Sequence, residues 1–184
     1  MLDATLAQYK PRGNQLKKVT VRRAEAIDAT VLRNMLELYL HDLSEFWPYE
    51  LNEHGCYGYS SLDYYWREAQ YAAYLFLVNG CLAGFALVNN DVCFSTNERW
   101  MAQFFILKRY RMNGIATEAA RQIFDLMPGK WEVGQIPLNR GAQIFWHKTI
   151  AHYTNGNFSE EILDNDIWRG TLHQFDNSHI AIKF

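Results

Sequence analysis

Apolar and polar residues along this chain repeat with two different periods. Val19-Thr20-Val21-Arg22-Arg23 alternates residue by residue and is β-branched, which predicts a strand. Beyond Asp28, a candidate helix cap, Val31, Leu32, Met35, Leu36, Tyr39 and Leu40 recur at helical spacing. That helix is expected to end near Phe46, before Pro48, and an aromatic loop runs on to Tyr59. Ser61-Leu62-Asp63 opens a short second helix towards Gln70. Two apolar runs, Tyr71 to Val78 and Cys81 to Val88, flank Asn79-Gly80, which supplies a type I′ hairpin turn. Asn89-Asn90-Asp91 turns the chain towards a fourth strand over Met101 to Leu107. Helical spacing returns at Ala116, Ala119, Ala120, Ile123, Phe124 and Met127, closed by Pro128-Gly129. Trp131 to Ile136 reads as a fifth strand, and a last helix starts at Asn139. Gly156 to Leu163 and Ile167 to Phe175 are late strands. The predicted order, β-α-α-β-β-β-α-β-α-β-β, is an α/β (α+β) mixed sheet with helices on its faces.

The junction of the fourth strand and the third helix carries the most chemistry. Lys108-Arg109-Tyr110-Arg111-Met112-Asn113-Gly114 is a basic turn that ends at a helix start. Free backbone N–H groups and the positive end of a helix dipole then converge on one point, which is an anion site. The plainer alternative is a βα turn whose Gly only makes the bend. Arg111-Met112-Asn113-Gly114-Ile115-Ala116 matches Arg/Gln-x-x-Gly-x-Gly/Ala, and Asn139-Arg140-Gly141-Ala142-Gln143-Ile144-Phe145-Trp146-His147-Lys148 is similar to Asn-x-x-Ala-x-x-Phe/Leu-Tyr-x-Lys. With both motifs in this order, the chain resembles the GNAT superfamily of N-acetyltransferases over most of residues 19 to 175.

The resemblance implies the acyl-coenzyme A N-acyltransferase fold and acetyl-coenzyme A as co-substrate, entering where the fourth and fifth strands splay apart. It implies that the main chain of Phe104 and Ile106 pairs with the pantetheine arm. A backbone N–H near Ile106 would then hold the oxyanion of the tetrahedral intermediate. Amides of Arg111, Met112, Asn113, Gly114, Ile115 and Ala116 would hold the pyrophosphate, with Gly114 allowing close approach of the backbone. Asn139 would cap its helix and reach the pantetheine arm. Trp146 stands where the family usually has a Tyr that protonates the departing thiolate, and an indole N–H is no acid. A thiol of pKa about 8.5 can leave without strong acid help.

The attacking amine, with a pKa of about 10.4 as an ammonium, must lose a proton. Glu132 on the fifth strand is one candidate base. Asp42 and Glu45, at the end of the first helix near His41 and Ser44, are the others, acting directly or through water. Gln103 cannot serve. Phe46, Trp47, Tyr49, Tyr65 and Trp66 could clamp a cation or seal a core or a dimer face. Acidic residues in this region favour a small cationic amine as acceptor.

Composition narrows the picture. The chain has 184 residues, 49% hydrophobic and 15% aromatic, enough for one domain with a sizeable core. A domain over residues 18 to 184, preceded by an arm over 1 to 17, is the expected organisation. The net charge of -2 gives no basic field for nucleic acid. No apolar run nears the roughly 20 residues of a membrane span, and the first residues lack a signal pattern. Cys56, Cys81 and Cys93 form no metal spacing and fit reduced thiols of a cytoplasmic protein. No metal is expected. The leading expectation is N-acetylation of a small amine by direct attack in a ternary complex; the alternative is a non-catalytic acyl-coenzyme A-binding or sensor module. Oligomeric state, including a homodimer, is left open by the sequence.

Overall fold

A computed structural model describes residues 18 to 179 of the chain; the arm over 1 to 17 lies outside the described residues. The strands are β1 (Val19–Arg23), β2 (Ala72–Val78), β3 (Cys81–Asn89), β4 (Arg99–Ile106), β5 (Lys130–Gln135), β6 (Ser159–Asp164) and β7 (Arg169–Asp176). The helices are α1 (Ala29–Leu43), α2 (Tyr64–Arg67), α3 (Ile115–Leu126) and α4 (Arg140–Tyr153). They follow the predicted order. The seven strands form one sheet in the order β1-β2-β3-β4-β5-β7-β6, antiparallel except where β4 meets β5.

The pleat sorts the apolar residues between two cores. Phe76, Ala86, Val88, Met101 and Ile106 pack with α3 and α4. Leu75, Phe85, Leu87 and Phe105 pack with α1 and α2. Both faces of β2 and β3 are therefore covered, and both read as nearly unbroken apolar runs. Asn79 and Gly80 adopt φ of 50° and 79°, as the type I′ turn requires.

Several boundaries differ from expectation, and the second helix, expected from Ser61 towards Gln70, spans only Tyr64–Arg67. Helix α1 ends at Leu43, and residues Ser44 to Phe46 continue only as a turn. Asp28 precedes α1 but does not cap it with its side chain. A 3-10 turn over Ala26–Asp28 comes first, and the Asp28 carboxylate accepts two hydrogen bonds of 2.7 Å from the Arg22 guanidinium and one of 3.0 Å from the Glu25 N–H. A guanidinium fork satisfies both oxygens better than a single helix N–H could. No helix among the described residues is long and apolar enough to cross a membrane.

Candidate active site

The parallel strands β4 and β5 pair only at Arg99 with Trp131 and Trp100 with Glu132. Beyond that point they part. The Leu107 N–H donates to the Ala83 carbonyl, so Phe105, two residues back, also faces β3. By the alternation of an antiparallel ladder, the backbone groups of Phe104 and Ile106 face away from β3, into the gap. The gap opens into a cleft of about 470 Å³.

The β4 wall of the cleft comprises Trp100, Met101, Ala102, Gln103 and Phe104. Gly134, Gln135 and Ile136 form the β5 wall, Asn139, Ala142 and Trp146 come from the start of α4, and Trp168 precedes β7. From the α1 side come Tyr39, Leu43, Trp47, Tyr49 and Tyr59. The Asn139 side chain accepts a 3.0 Å hydrogen bond from the Ala142 N–H, so it both caps α4 and faces the cleft. Trp146 is buried, 4.9 Å from Phe104 and 4.9 Å from Phe145 between ring centroids, and acts as a packing residue. Gly134 lets two indoles close over β5, because a Cβ there would lie 2.3 Å from Trp100 and 2.7 Å from Trp168. Trp100, Gly134, Gln135 and Trp168 carry no motif; only the pairing of β5 with β7 brings them together, so sequence reasoning passed over them.

The basic turn closes one end of the gap. Gly114, at φ 74°, occupies the left-handed region as the N-cap of α3, and the space where its Cβ would be is open. Met112 also has positive φ, 59°. The two inversions turn the backbone from Arg111 to Ile115 around a concave surface with the α3 N-terminus at its base. Ile115 anchors this turn in the core, whereas Arg111 to Gly114 are exposed and Ala116 is half-buried. Asn113 braces the turn by donating through its side chain to the Arg111 carbonyl at 2.7 Å. Arg111 reaches back to β4: its Nε donates to the Ile106 carbonyl at 2.8 Å, and its guanidinium lies over the Phe105 ring.

The three carboxylates considered as bases lie outside the cleft lining. Glu132 is fully buried on the opposite sheet face from its neighbours Trp131 and Val133. Its carboxylate accepts from the Cys93 N–H at 2.6 Å, the Phe94 N–H at 2.9 Å and the Asn97 side chain at 2.7 Å. The residue pins the loop before β4, and these contacts occupy both carboxylate oxygens. Asp42 is salt-bridged to Arg111 and, at 3.1 Å, to Lys108. Partial burial pushes its carboxyl pKa up, but hydrogen bonds from Arg111 and Lys108 outweigh burial and hold it below the ordinary value. It ties the basic turn to α1. Glu45 is exposed on the turn between the cleft residues Leu43 and Trp47. Among the described residues no carboxylate, histidine, lysine or arginine lines the cleft. Its titratable side chains are tyrosines, and burial raises the pKa of Tyr39 and Tyr59, so both hydroxyls remain protonated donors near neutral pH.

Two groups near Trp146 in sequence that could serve as a general acid, Tyr153 and His147, are engaged elsewhere. The Tyr153 hydroxyl donates to Asp125 at 3.0 Å, and burial pushes its pKa up to about 12. His147 is paired with Glu160 on the far side of α4.

The family model of the Acetyltransferase (GNAT) family matches residues 32–150. Among curated proteins, none matches the sequence. Solved structures resemble the fold at low identity. An acetyltransferase from Thermus thermophilus has a TM-score of 0.63 at 12% identity, with 86% of this chain and 97% of that one covered. PaiA N-acetyltransferase from Thermoplasma acidophilum, in complex with coenzyme A, has a TM-score of 0.59 at 10% identity, covering 86% and 99%. The aminoglycoside acetyltransferase AAC(6')-Ib, in complex with ribostamycin and coenzyme A, has a TM-score of 0.59 at 13% identity, covering 86% and 93%. At such identities these likenesses speak for the fold alone; with the family match spanning well over half of its length, the chain belongs to the GNAT acetyltransferase family.

Proposed function

We propose that this protein transfers the acetyl group of acetyl-coenzyme A to a primary amine held in the cleft. The observation that carries the reading is the parting of β4 from β5 beside the Arg111–Ala116 turn. An extended pantetheine arm can add to the exposed β4 edge as a strand would, through the main chain of Phe104 and Ile106. The turn and the α3 N-terminus suit a pyrophosphate, with Lys108 and Arg111 adding charge. Solved relatives of this fold hold coenzyme A or acetyl-coenzyme A, which supports the assignment. Arg111 must exchange part of its contact with Asp42 and the Ile106 carbonyl for the incoming groups.

The thioester carbonyl would be polarised by a backbone N–H at the β4 edge. The amine would attack it directly, and the thiolate would leave without a side-chain acid at position 146. Proton removal does not fall to Glu132 or Asp42, whose oxygens are already held by hydrogen bonds and ion pairs. It passes to water in the open cleft, with exposed Glu45, between the cleft residues Leu43 and Trp47, as an acidic sink. The acceptor is an amine carried on a flat or apolar body. Seven tyrosine and tryptophan residues, Tyr39, Trp47, Tyr49, Tyr59, Trp100, Trp146 and Trp168, line the cleft, and among the described residues no carboxylate is there to bind a polycation. Cation–π contact with these rings can hold a single ammonium. This revises the expectation of an acidic acceptor pocket, because fold and ion pairing turn Asp42 towards the basic turn.

The lack of a carboxylate or histidine among the described residues of the cleft also favours a second reading, a non-catalytic acyl-coenzyme A sensor. Thiol release from acetyl-coenzyme A, followed over a panel of arylalkyl amines, polyamines and amino acids, separates the two. Amine-dependent release with a product heavier by one acetyl group supports transfer. Tight binding with no release for any amine supports the sensor.

A further inference from the structure

His147 on α4, Glu160 on β6 and His173 on β7 converge on one spot on the side of α4 away from the cleft. Glu160 and His173 face each other across the β6-β7 ladder, and α4 lays His147 over them. One carboxylate oxygen, Glu160 Oε2, lies 2.7 Å from His147 Nδ1 and 2.7 Å from His173 Nε2. The three donor atoms all lie within 4.8 Å of one another. His173 has no exposed surface. The Glu160 carboxylate oxygen thus sits between the two rings, with the buried Nε2 of His173 on one side and the exposed His147 on the other. A proton on Nε2 holds this contact in the absence of metal, and a metal ion can take that proton's place between imidazole and carboxylate.

We propose that His147, Glu160 and His173 form a binding site for a divalent transition-metal ion, best suited to zinc. Two neutral imidazoles and one carboxylate make a donor set that zinc takes, with water completing a tetrahedron. Donors around zinc stand roughly 3.3 Å apart, given bonds of about 2.0 Å. The two 2.7 Å contacts therefore need to open by only about half an ångström. The side chains of Glu160 and His147 are 41% and 54% exposed, so they can rotate to allow this, and an ion can reach them from solvent. Phe158 walls the site, stacked at 5.8 Å on His173 and edge-on at 5.5 Å to His147. The bound ion would fasten α4 to the β6-β7 hairpin. The site does not face the cleft, so its role is structural, and the proposal is independent of the acetyl-transfer reading.

The test is a melting curve of the tag-free full chain, freed of metal by chelator, with zinc chloride alone as the probe. At zinc a hundredfold above its dissociation constant, the wild-type midpoint should rise by at least about 5 °C. Magnesium at the same concentration should have no effect, because it prefers oxygen donors. His147→Gln changes an exposed side chain and keeps the fold; it should lose the shift, as should Glu160→Gln. His152→Gln, at another exposed histidine of α4, should keep it. Cobalt in place of zinc should give a tetrahedral visible spectrum in the wild type and not in His147→Gln. No zinc shift in the wild type, or an equal shift in the wild type and His147→Gln, would overturn the proposal.

Discussion

A carboxylate with no solvent exposure must find its donors within the protein, and Glu132 has three. Two are backbone N–H groups of the loop before β4, so this side chain shapes the approach to the β4-β5 junction. Glu132→Ala should cost about 3 kcal/mol of unfolding free energy in urea, because buried donors are left unpaired. The pH profile of turnover in the surviving folded protein should match the wild type; a profile that loses its acid limb would return the base role to this residue. Asp28 gives a pH prediction. The Arg22 hydrogen bonds, then that from the Glu25 N–H, lower its pKa to about 2 from 3.8. A depressed carboxylate contributes its stability above the unfolded value and loses it as pH falls through the folded one. Arg22 is 45% exposed, so solvent screening reduces the pair to roughly 1 kcal/mol. Asp28→Asn should show that deficit at pH 7, and the gap between the two proteins should narrow from about pH 4 towards pH 2. A gap constant over that window would show that the ion pair carries none of it.

Helix α4 supplies Ala142 and Trp146 to the cleft wall that β4 dominates. It is capped by Asn139 and held against β4 by the rings of Phe104, Phe145 and Trp146. Trp146 supplies bulk here, so Trp146→Phe should keep kcat within roughly tenfold of wild type, about 1.4 kcal/mol of barrier. A loss of a thousandfold or more, with the melting temperature unchanged, would give the indole N–H a chemical role. The elements themselves were legible in the sequence because period and punctuation agree: Asn79-Gly80 for the hairpin, Gly114 before α3, Pro128-Gly129 after it. The start of the site was legible for the same reason, since the Gly114 turn and Asn139 are local patterns. The orientation of Glu132 and Asp42 was not. Strand alternation puts Glu132 on the face opposite Trp131, but which loop covers that face depends on tertiary packing. Asp42 sits near the cleft in sequence, yet the guanidinium of Arg111, sixty-nine residues away, claims it. The aromatic cleft wall draws on α1, β4, β5 and the residue before β7, and no single window contains it.

At the scale of the whole molecule, one sheet is pried open at the β4-β5 junction, and every functional proposal for the cleft rests on that gap. Helices α3 and α4 cover one side of the sheet, and their N-termini flank the opening. Such a gap exposes backbone groups that neighbouring strands would otherwise pair, and a ligand with alternating amides can satisfy them. The central claim is that the gap and the Gly114 turn together hold coenzyme A. The most direct measurement is a calorimetric titration of coenzyme A into the wild type and Gly114→Trp, with the melting curve of each recorded alongside. The prediction is a saturable heat with 1:1 stoichiometry and a raised melting temperature for the wild type, and loss of both in a Gly114→Trp protein that still melts cooperatively. No heat and no melting shift for the wild type at millimolar coenzyme A, or wild-type affinity in the folded variant, would contradict it.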